Sequence, residues 1–250
     1  DATETTEAPT EVTLVTHDSF YVSETVFEAF TAETGVTVNH VTVGDAGTLV
    51  NQAILTKDAP TADVLFGVDN TFLSRALDED VFVAYESPAL DGVDDALLVD
   101  NRVTPVDFGD VCINYDVAFF SDGLAPPTSL DDLADPAYAD LTVVENPASS
   151  SPGLAFLLAT IDAYGEDGFE AYWQSLVENG VRAVSGWEEA YYGEFTVGGG
   201  GDRPIVVSYA SSPPAEVIFA EETPETAPTA VMTDGCFRQV EYAGILKDSE

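Results

Sequence analysis

Apolar and polar positions in the first third of the chain follow two periods in turn, that of a strand and that of a helix. Residues Glu11 to Thr16 alternate and are rich in β-branched side chains, which predicts a strand. The next segment has the apolar spacing of a helix, which Asp18 or Ser19 can cap and Gly35 ends. Further strands are predicted at 36–43 and 62–68, and further helices at 48–55 and 72–77. This β-α-β-α-β-α order is typical of a parallel sheet.

The pattern changes beyond residue 100. Residues Val103 to Tyr115 alternate over a stretch long enough for a strand that links two lobes, and 250 residues suit one large domain or two lobes. After it, a short helix is predicted to follow Pro127. Strands are predicted at 141–144, at 236–242 and from residue 205 onward. Helices are predicted at 154–164, at 168–179 and in the segment that begins at Ser185. The chain is therefore expected to have an α/β fold.

Polar side chains follow each of the first three predicted strands. They are His17, Asp18, Ser19, Asp45, Asp69 and Asn70. Ligands of open parallel sheets bind beyond the carboxyl ends of the strands, so these residues are candidates for a binding site. Asp18 and Asp69 are equally consistent with ordinary helix caps.

Three serines, Ser149, Ser150 and Ser151, precede the predicted helix at 154–164. The start of a helix offers free backbone N–H groups and the positive end of the helix dipole, which suit a polar ligand. A plain capping loop is the alternative.

The stretch from Ser185 to Pro213 combines aromatic rings, carboxylates and small hydroxyl groups. Its candidate residues are Trp187, Glu188, Glu189, Tyr191, Tyr192, Ser208, Tyr209, Ser211 and Ser212. Aromatic faces attract cations by about 0.5 to 2 kcal/mol per contact. Because this group includes no basic side chain, it favours a cationic ligand over an anionic one. The alternative is that Trp187 and the tyrosines are core residues of a helix and a buried strand.

The acidic composition limits the classes of partner. The chain has 46 Asp and Glu against 7 Lys and Arg, a formal net charge of −39. Such a surface repels nucleic acid and anionic membranes, and it keeps a protein soluble at high concentration or high salt. No apolar run approaches the roughly 20 residues of a membrane span. We therefore expect neither a nucleic-acid partner nor a spanning segment.

The first residues and the two cysteines bear on the compartment. Residues 1–10 have no aromatic side chain and no periodicity, so we expect a disordered tail, as in an exported protein cut from its leader or tethered by an upstream lipid. Cys112 and Cys236 each lie in a strand-like run. In an oxidising compartment they can form a disulfide, and the alternative is two buried free thiols.

The sequence carries no motif of an enzyme or a metal site. The serines lie in no Gly-x-Ser-x-Gly motif, and the glycines at 198–201 lack the following Lys of a phosphate-binding loop. His17 and His40, the two histidines, have no metal-ligand spacing. Glu188 and Glu189 are adjacent, so on a helix they point about 100° apart and cannot face each other as acid and base. We therefore predict no enzyme, no metal site and no cofactor.

Seven short segments between Val12 and Tyr242 form an ordered set. They are Thr-His-Asp-Ser-Phe, Gly-Asp-Ala-Gly-Thr-Leu, Ala-Asp-Val-Leu-Phe-Gly-Val-Asp-Asn, Pro-Val-Asp-Phe-Gly, Ser-Ser-Ser-Pro-Gly-Leu, Ser-Gly-Trp-Glu-Glu-Ala-Tyr and Val-Ser-Tyr-Ala-Ser-Ser-Pro. In order and spacing the set resembles the periplasmic thiamine-binding protein family, the extracytoplasmic solute-binding components of ABC importers.

The resemblance implies a fold of the type II periplasmic binding protein kind. Each of its two lobes would be a mixed sheet flanked by helices, and crossing strands would form the hinge. Lobe 1 would comprise 11–107 and 241–250, and lobe 2 would comprise 108–240. Cys112 and Cys236 would then lie on strands near the hinge, which favours their pairing in a disulfide.

The resemblance also implies a ligand and a partner. Thiamine, or a thiamine phosphate, would be captured between the lobes by a monomeric protein and delivered to the membrane permease of an ABC importer. Asp45 would bond the aminopyrimidine, Trp187 and Tyr209 would hold the rings, and Ser150 with its neighbours would contact the hydroxyethyl or phosphate end. The ligand-binding residues implied are His17, Asp18, Ser19, Asp45, Asp69, Ser149, Ser150, Ser151, Trp187, Tyr191, Ser208, Tyr209 and Ser211. His17 and Ala215 stand where the family has tyrosines.

Two other interpretations remain open. A ferric-ion-binding protein of the same fold is one, because Tyr191 and Tyr192 resemble the adjacent tyrosine pair of such proteins and hard oxygen ligands suit that metal. A secreted enzyme acting on a cationic or sugar substrate is the other.

Overall fold

The computed structural model describes residues 10–121 and 123–249. Within these ranges the strands form one eight-stranded mixed sheet, in the order β2-β1-β3-β8-β4-β7-β5-β6, flanked by helices. The strands are β1 (Glu11–Thr16), β2 (Thr37–Thr42), β3 (Val64–Asp69), β4 (Thr104–Asp116), β5 (Thr142–Glu145), β6 (Arg182–Val184), β7 (Ile205–Tyr209) and β8 (Thr229–Ile245). The helices are α1 (Glu24–Thr34), α2 (Ala46–Leu55), α3 (Leu73–Asp78), α4 (Leu130–Ala134), α5 (Ser151–Tyr164), α6 (Phe169–Glu178), α7 (Trp187–Glu189) and α8 (Ser212–Ile218), and a π-helical turn spans Ala190–Glu194. The predicted α/β fold is confirmed, while the predicted tail lies, except for residue 10, outside the described residues.

One end of the sheet, made of the parallel strands β1, β2 and β3, carries the first hydrophobic core, and we call it lobe 1. β3 is buried from Leu65 to its end, as expected of a parallel strand that is covered on both faces. Its Leu65 and Val68 belong to one cluster with Leu49 and Val50 of α2. This core therefore fixes the positions of the carboxyl ends of β1 and β3.

The other end of the sheet, with β5, β6 and β7 parallel, carries the second core and is lobe 2. Successive residues of β7 point to opposite faces. Val207 packs with Phe156 of α5 on one face, and Val206 packs with Tyr191 of the π-helical turn on the other. Helices and the π-helical turn thus cover both faces of this part of the sheet.

Two long antiparallel strands connect the lobes. β4 pairs with β8 from Thr104 opposite Ala243 to Asp116 opposite Thr229. β8 also pairs with β3 of lobe 1, and β4 also pairs with β7 of lobe 2. This β4–β8 ribbon is the hinge of crossing strands that was expected, while the residue numbers given above for the lobe boundaries remain predictions.

A disulfide joins the two strands of the ribbon. Cys112 of β4 is bonded to Cys236 of β8, and their Cα atoms are 4.4 Å apart. The predicted disulfide is confirmed, and the alternative of two free thiols is wrong. The register of the β4–β8 pair shifts between Val111 and Ile113, so the crosslink lies at an irregular point of the pairing.

The start of α1 was predicted too early. The helix begins at Glu24 with Ser23 in the N-cap position, so neither Asp18 nor Ser19 caps it. The backbone N–H of Asp18 instead donates to the carbonyl of Gly44 at 2.9 Å, which directs the chain along the end of β2 before the helix begins.

Two other boundaries differ because of local pairing. α5 begins at Ser151, three residues early, because the hydroxyl of Ser150 accepts from the first turn of the helix. β8 begins at Thr229 rather than 236. Its first residues pair with the end of β4 although Asp234 and Gly235 interrupt the alternation that marks a strand.

Candidate functional site

A cavity of about 370 Å³, the inner cavity, lies where the two lobes meet the β4–β8 ribbon. Two aromatic rings from lobe 2, those of Trp187 and Tyr209, line it with their centroids 6.2 Å apart and their planes at 61°. The other lining residues are His17, Ser19, Asp107, Phe108, Gly109, Ser211, Ser212, Ala215, Gln239 and Glu241. The cavity thus combines flat apolar faces with carboxylates and neutral polar groups.

Trp187 is held from both lobes. Its ring stacks on Tyr191 at a centroid distance of 5.0 Å, and its Nε1 donates to the Ser208 hydroxyl at 2.9 Å. Its backbone N–H donates to Oδ2 of Asp45, in lobe 1, at 3.0 Å. A Cβ on Gly186 would lie 3.0 Å from the same carboxylate oxygen, so the glycine leaves room for this contact. Lobe 2 therefore orients the ring, while lobe 1 holds the backbone.

A second cavity of about 300 Å³, the outer cavity, shares Trp187, Ser212 and Ala215 with the inner cavity. The rest of its lining is Tyr191, Tyr192, Glu216, Phe219 and Ala220. The hydroxyl of Tyr191 donates to Oε1 of Glu216 at 2.6 Å. Burial, together with this carboxylate, raises the pKa of Tyr191, so its hydroxyl remains a donor at neutral pH.

Two carboxylates and a histidine face the inner cavity. Asp107 of β4 lies opposite Glu241 of β8, and Oε1 of Glu241 is 3.5 Å from Nε2 of His17. Partial burial, and then the charge of Glu241, raise the pKa of Asp107 to about 6. Burial lowers the pKa of His17, but the carboxylates of Glu241, Asp45 and Asp18 together outweigh it and the net shift is upward. The lining is therefore more negative above pH 6 than below it.

The lobes contact each other directly beside the cavities. The backbone N–H of Gly47 donates to the carbonyl of Ser149 at 3.0 Å, and a Cβ on Gly47 would lie 2.8 Å from the carbonyl carbon of Ser149. The hydroxyl of Ser151 donates to the fully buried carboxylate of Asp69. Burial raises the pKa of Asp69 despite the hydrogen bonds it accepts. Together with the Asp45–Trp187 bond, these contacts hold the cleft closed on this side.

The structure brings six of the predicted ligand-binding residues to the cavities. His17, Ser19, Trp187, Tyr209 and Ser211 line the inner cavity, and Tyr191 and Trp187 line the outer one. Those that line neither are Asp18, Asp45, Asp69, Ser149, Ser150, Ser151 and Ser208. Most of the second group hold the lobes together or support Trp187. The part of each residue in ligand binding stays a prediction.

Five ribbon residues that line the inner cavity were not predicted as site residues. They are Asp107, Phe108, Gly109, Gln239 and Glu241, which all lie on the ribbon. No local signal marks the two carboxylates, because Asp107 lies between Val106 and Phe108 and Glu241 lies between Val240 and Tyr242, where a polar residue fits the alternation of a strand. Their closeness depends on the pairing of β4 with β8, which spacing along the chain does not reveal.

The described ranges hold neither a helix that is long and apolar enough to cross a bilayer nor a cluster of three or more His, Cys, Asp or Glu side chains suited to a metal ion. The arrangement of the cavities can bind and enclose a flat polar molecule. It offers aromatic faces, hydrogen-bonding groups and negative charge.

The structure has two α/β lobes joined by crossing strands, and the cleft between them is lined with polar and aromatic side chains. This arrangement defines the class of two-lobed solute-binding proteins. The comparison with known families agrees. The chain belongs to the bacterial extracellular solute-binding protein family, whose model matches residues 59–233.

Relatives and solved structures cover most of the chain. The thiamine-binding periplasmic protein of Brucella abortus is 31% identical over 249 residues, which are 95% of this chain and 69% of that protein. A solved periplasmic thiamin binding protein matches with a TM-score of 0.79 at 26% identity, over 96% of this chain and 74% of that one. The ferric binding protein from Campylobacter jejuni reaches a TM-score of 0.75 over 96% of this chain and 77% of that one, but at 15% identity it shares the fold alone. The resemblance to thiamine-binding proteins inferred from the seven segments is confirmed.

Proposed function

We propose that the protein binds thiamine in the inner cavity and delivers it to the membrane permease of an ABC importer. The observation that carries the proposal is the joint presence, in one cavity between two lobes, of the Trp187 and Tyr209 rings and the Asp107 and Glu241 carboxylates. The names of the relatives support the same ligand.

The chemistry of the cavity suits thiamine. The thiazolium ring carries a permanent positive charge, which aromatic faces and carboxylates both attract. The aminopyrimidine ring is flat and both donates and accepts hydrogen bonds, and the Gln239 amide and the Ser211 hydroxyl in the lining can pair with it. A volume of about 370 Å³ lies within the range of ligand pockets.

Two roles follow for the predicted site residues. Those lining the cavities would touch the ligand. Asp45, Asp69, Ser149 and Ser151 would act chiefly by holding the lobes together around it, since their polar atoms bond across the cleft. Asp45 can still accept a bond from the ligand, because a carboxylate has more lone pairs than the two bonds use.

The remaining parts of the proposal follow from the family. The protein would act outside the cytoplasm as a monomer, without a cofactor and without catalysis. Its thiamine is a cargo, not a cofactor. The acidic surface, with a formal net charge of −39, would prevent association with nucleic acid.

Iron binding is the rival within the same fold. The Tyr191 hydroxyl is bonded to Glu216 at 2.6 Å, and it would have to lose this proton to ligate a ferric ion. A raised pKa opposes that loss. Added ferric iron should therefore produce no visible charge-transfer band, and a strong band would favour the rival.

The test is a titration of tryptophan fluorescence with thiamine. The chain has two tryptophans, and Trp173 lies in lobe 2 away from both cavities, with its Nε1 bonded to Thr160 at 2.9 Å. We expect thiamine to quench the parent and the Trp173→Phe control alike. Trp187→Ala should lose the quenching and bind about 5- to 150-fold more weakly, because a stacking contact contributes about 1 to 3 kcal/mol. Unchanged affinity in Trp187→Ala would refute the site.

A further inference from the structure

The glycine-rich segment 198–201 packs against the π-helical turn that carries Tyr191 and Tyr192. A Cβ on Gly198 would overlap the carbonyl oxygen of Tyr191 and would lie 2.9 Å from Cδ1 of its ring. A Cβ on Gly199 would overlap the carbonyl oxygen of Tyr192. Any side chain at these two positions would therefore displace either the segment or the turn.

Gly200 lies in the same segment but serves a different purpose. Its φ is 69°, in the left-handed region that favours glycine, and an added Cβ would meet no atom within 4 Å. Neither Gly198 nor Gly199 has φ in that region. Glycine is thus required at position 200 by the backbone conformation, and at positions 198 and 199 by the close approach of the turn.

Hydrogen bonds and ion pairs hold the segment against the turn. The N–H of Gly199 donates to the carbonyl of Phe195, the residue after the turn, at 3.2 Å. The guanidinium of Arg182 bonds to Glu194, the last residue of the turn, and also to Asp202, directly after the glycines, at 2.8 Å. The segment therefore cannot move away from the turn without breaking these bonds.

The turn in turn fixes the aromatic wall of the cavities. Tyr191 is buried, and its ring lies between Trp187, at a centroid distance of 5.0 Å, and Phe195, at 5.3 Å. Trp187 lines both cavities. Because interiors are close-packed, a displacement of the turn is passed through the Tyr191 ring to the Trp187 ring. π-helical turns are frequent at functional sites, where they fix side chains that a regular helix would place elsewhere.

We propose that Gly198 and Gly199 are positioning residues for ligand binding. They line neither cavity, and they act by allowing the turn to approach, which sets Tyr191 and through it the Trp187 ring on which the ligand stacks. As to the ligand, this inference rests on the proposed function. The position of the Trp187 ring, however, can be measured without any ligand.

Gly198→Ala and Gly199→Ala test the proposal, each in the Trp173→Phe background, where Trp187 is the remaining tryptophan. In the ligand-free protein we expect each variant to shift the emission maximum of Trp187 and to change the near-UV circular dichroism of the stacked Trp187–Tyr191 pair. Calorimetry should show that thiamine binds about fivefold more weakly or worse, because part of a stacking contact is lost.

Gly200→Ala is the matched control. Alanine at a φ of 69° strains the backbone and should lower the melting temperature, but its Cβ meets no neighbour. We therefore expect parental Trp187 emission and parental thiamine affinity in this variant. If the segment were merely structural, all three alanine variants would lose stability while the emission and the affinity stayed parental.

The possible failures are distinguishable. Folded Gly198→Ala and Gly199→Ala proteins with parental emission or parental affinity would overturn the inference, and so would an equal loss of affinity in Gly200→Ala. Position 199 is exposed, so Gly199→Ala decides the question if Gly198→Ala does not fold. If thiamine does not bind even the parent, the proposed function is wrong, and the emission and circular dichroism of the ligand-free variants alone decide whether the glycines position the ring.

Discussion

Asp45→Asn tests how the cleft is held closed. Oδ1 of Asp45 accepts the N–H of Ala46 at 2.7 Å and so caps α2, while Oδ2 accepts the N–H of Trp187 across the cleft at 3.0 Å. Asparagine has one accepting oxygen and one NH₂ group that can only donate. It can replace one of these bonds but not both, since its NH₂ group would face a second donor.

The magnitude follows from which bond is kept. If the cap is kept, the bond to Trp187 is lost, and a hydrogen bond to a charged group contributes about 1.5 to 3 kcal/mol. For a ligand that binds only the closed form, this weakens binding by about 10- to 100-fold, at about 1.4 kcal/mol per tenfold change. If the amide group is turned so that its oxygen faces Trp187, the bond across the cleft is kept and the cap of α2 is lost. The free energy of unfolding then falls by about 1 kcal/mol.

Calorimetry with thiamine and thermal unfolding of the ligand-free protein separate the two outcomes. We expect weaker binding with a nearly unchanged melting temperature, because the cap stays within one helix and the cleft can open in solution. Asp135→Asn is the control, since Asp135 accepts from Ala137 in a short turn of lobe 2 and makes no bond across the cleft. An Asp45→Asn protein with parental affinity and parental melting temperature would refute the reasoning.

Two further predictions concern the disulfide and pH. The Cys112→Ser/Cys236→Ser double variant should lose up to about 5 kcal/mol of unfolding free energy in urea, because the crosslink closes a loop with a sequence separation of 124. Thiamine affinity should fall as the pH drops through 6. Asp107, whose pKa is raised to about 6, then loses its negative charge, and His17, whose pKa is also raised, gains a positive one, while the thiazolium charge does not change.

Each of these two predictions can be contradicted by a measurement. Two free thiols counted in unreduced, denatured protein would contradict the disulfide. Thiamine affinity, measured by calorimetry from about pH 8 to about pH 5, should decrease. An affinity that does not change with pH would mean that the charges of Asp107 and His17 do not affect binding. Asp107→Asn should reduce the pH dependence and leave the part due to His17.

The sequence predicted best what depends on neighbours along the chain. β1 was predicted at its observed bounds, and Gly35 ends α1 in a left-handed conformation, with φ of 77°, which glycine adopts readily. The start of α1 was wrong because several polar residues near it can cap a helix. Ser23 occupies the N-cap position without a side-chain capping bond, so the preference of residue types for caps does not locate the start of this helix.

In the candidate site, too, the residues predicted correctly are those that a local stretch of sequence indicates. Trp187 and Tyr209 were predicted from the chemistry of one short stretch, and both line the inner cavity. Asp107 and Glu241 were missed, because they are far apart along the chain and only the β4–β8 register places them opposite each other. Asp45 was expected to face the ligand, but its two observed bonds go to backbone N–H groups, and no local pattern indicates a partner in the other lobe.

Trp187 belongs at once to the wall of the cavity, through its ring, and to the contact between the lobes, through its backbone N–H. A ligand that stacks on the ring and also contacts His17 or Ser19 of lobe 1 therefore lowers the free energy of the closed form relative to the open one, so that ligand binding and closure are thermodynamically linked. The fraction of closed molecules would then follow the concentration of the solute. A permease that recognises only the closed form would receive, from the shape of this protein alone, a signal that cargo is present.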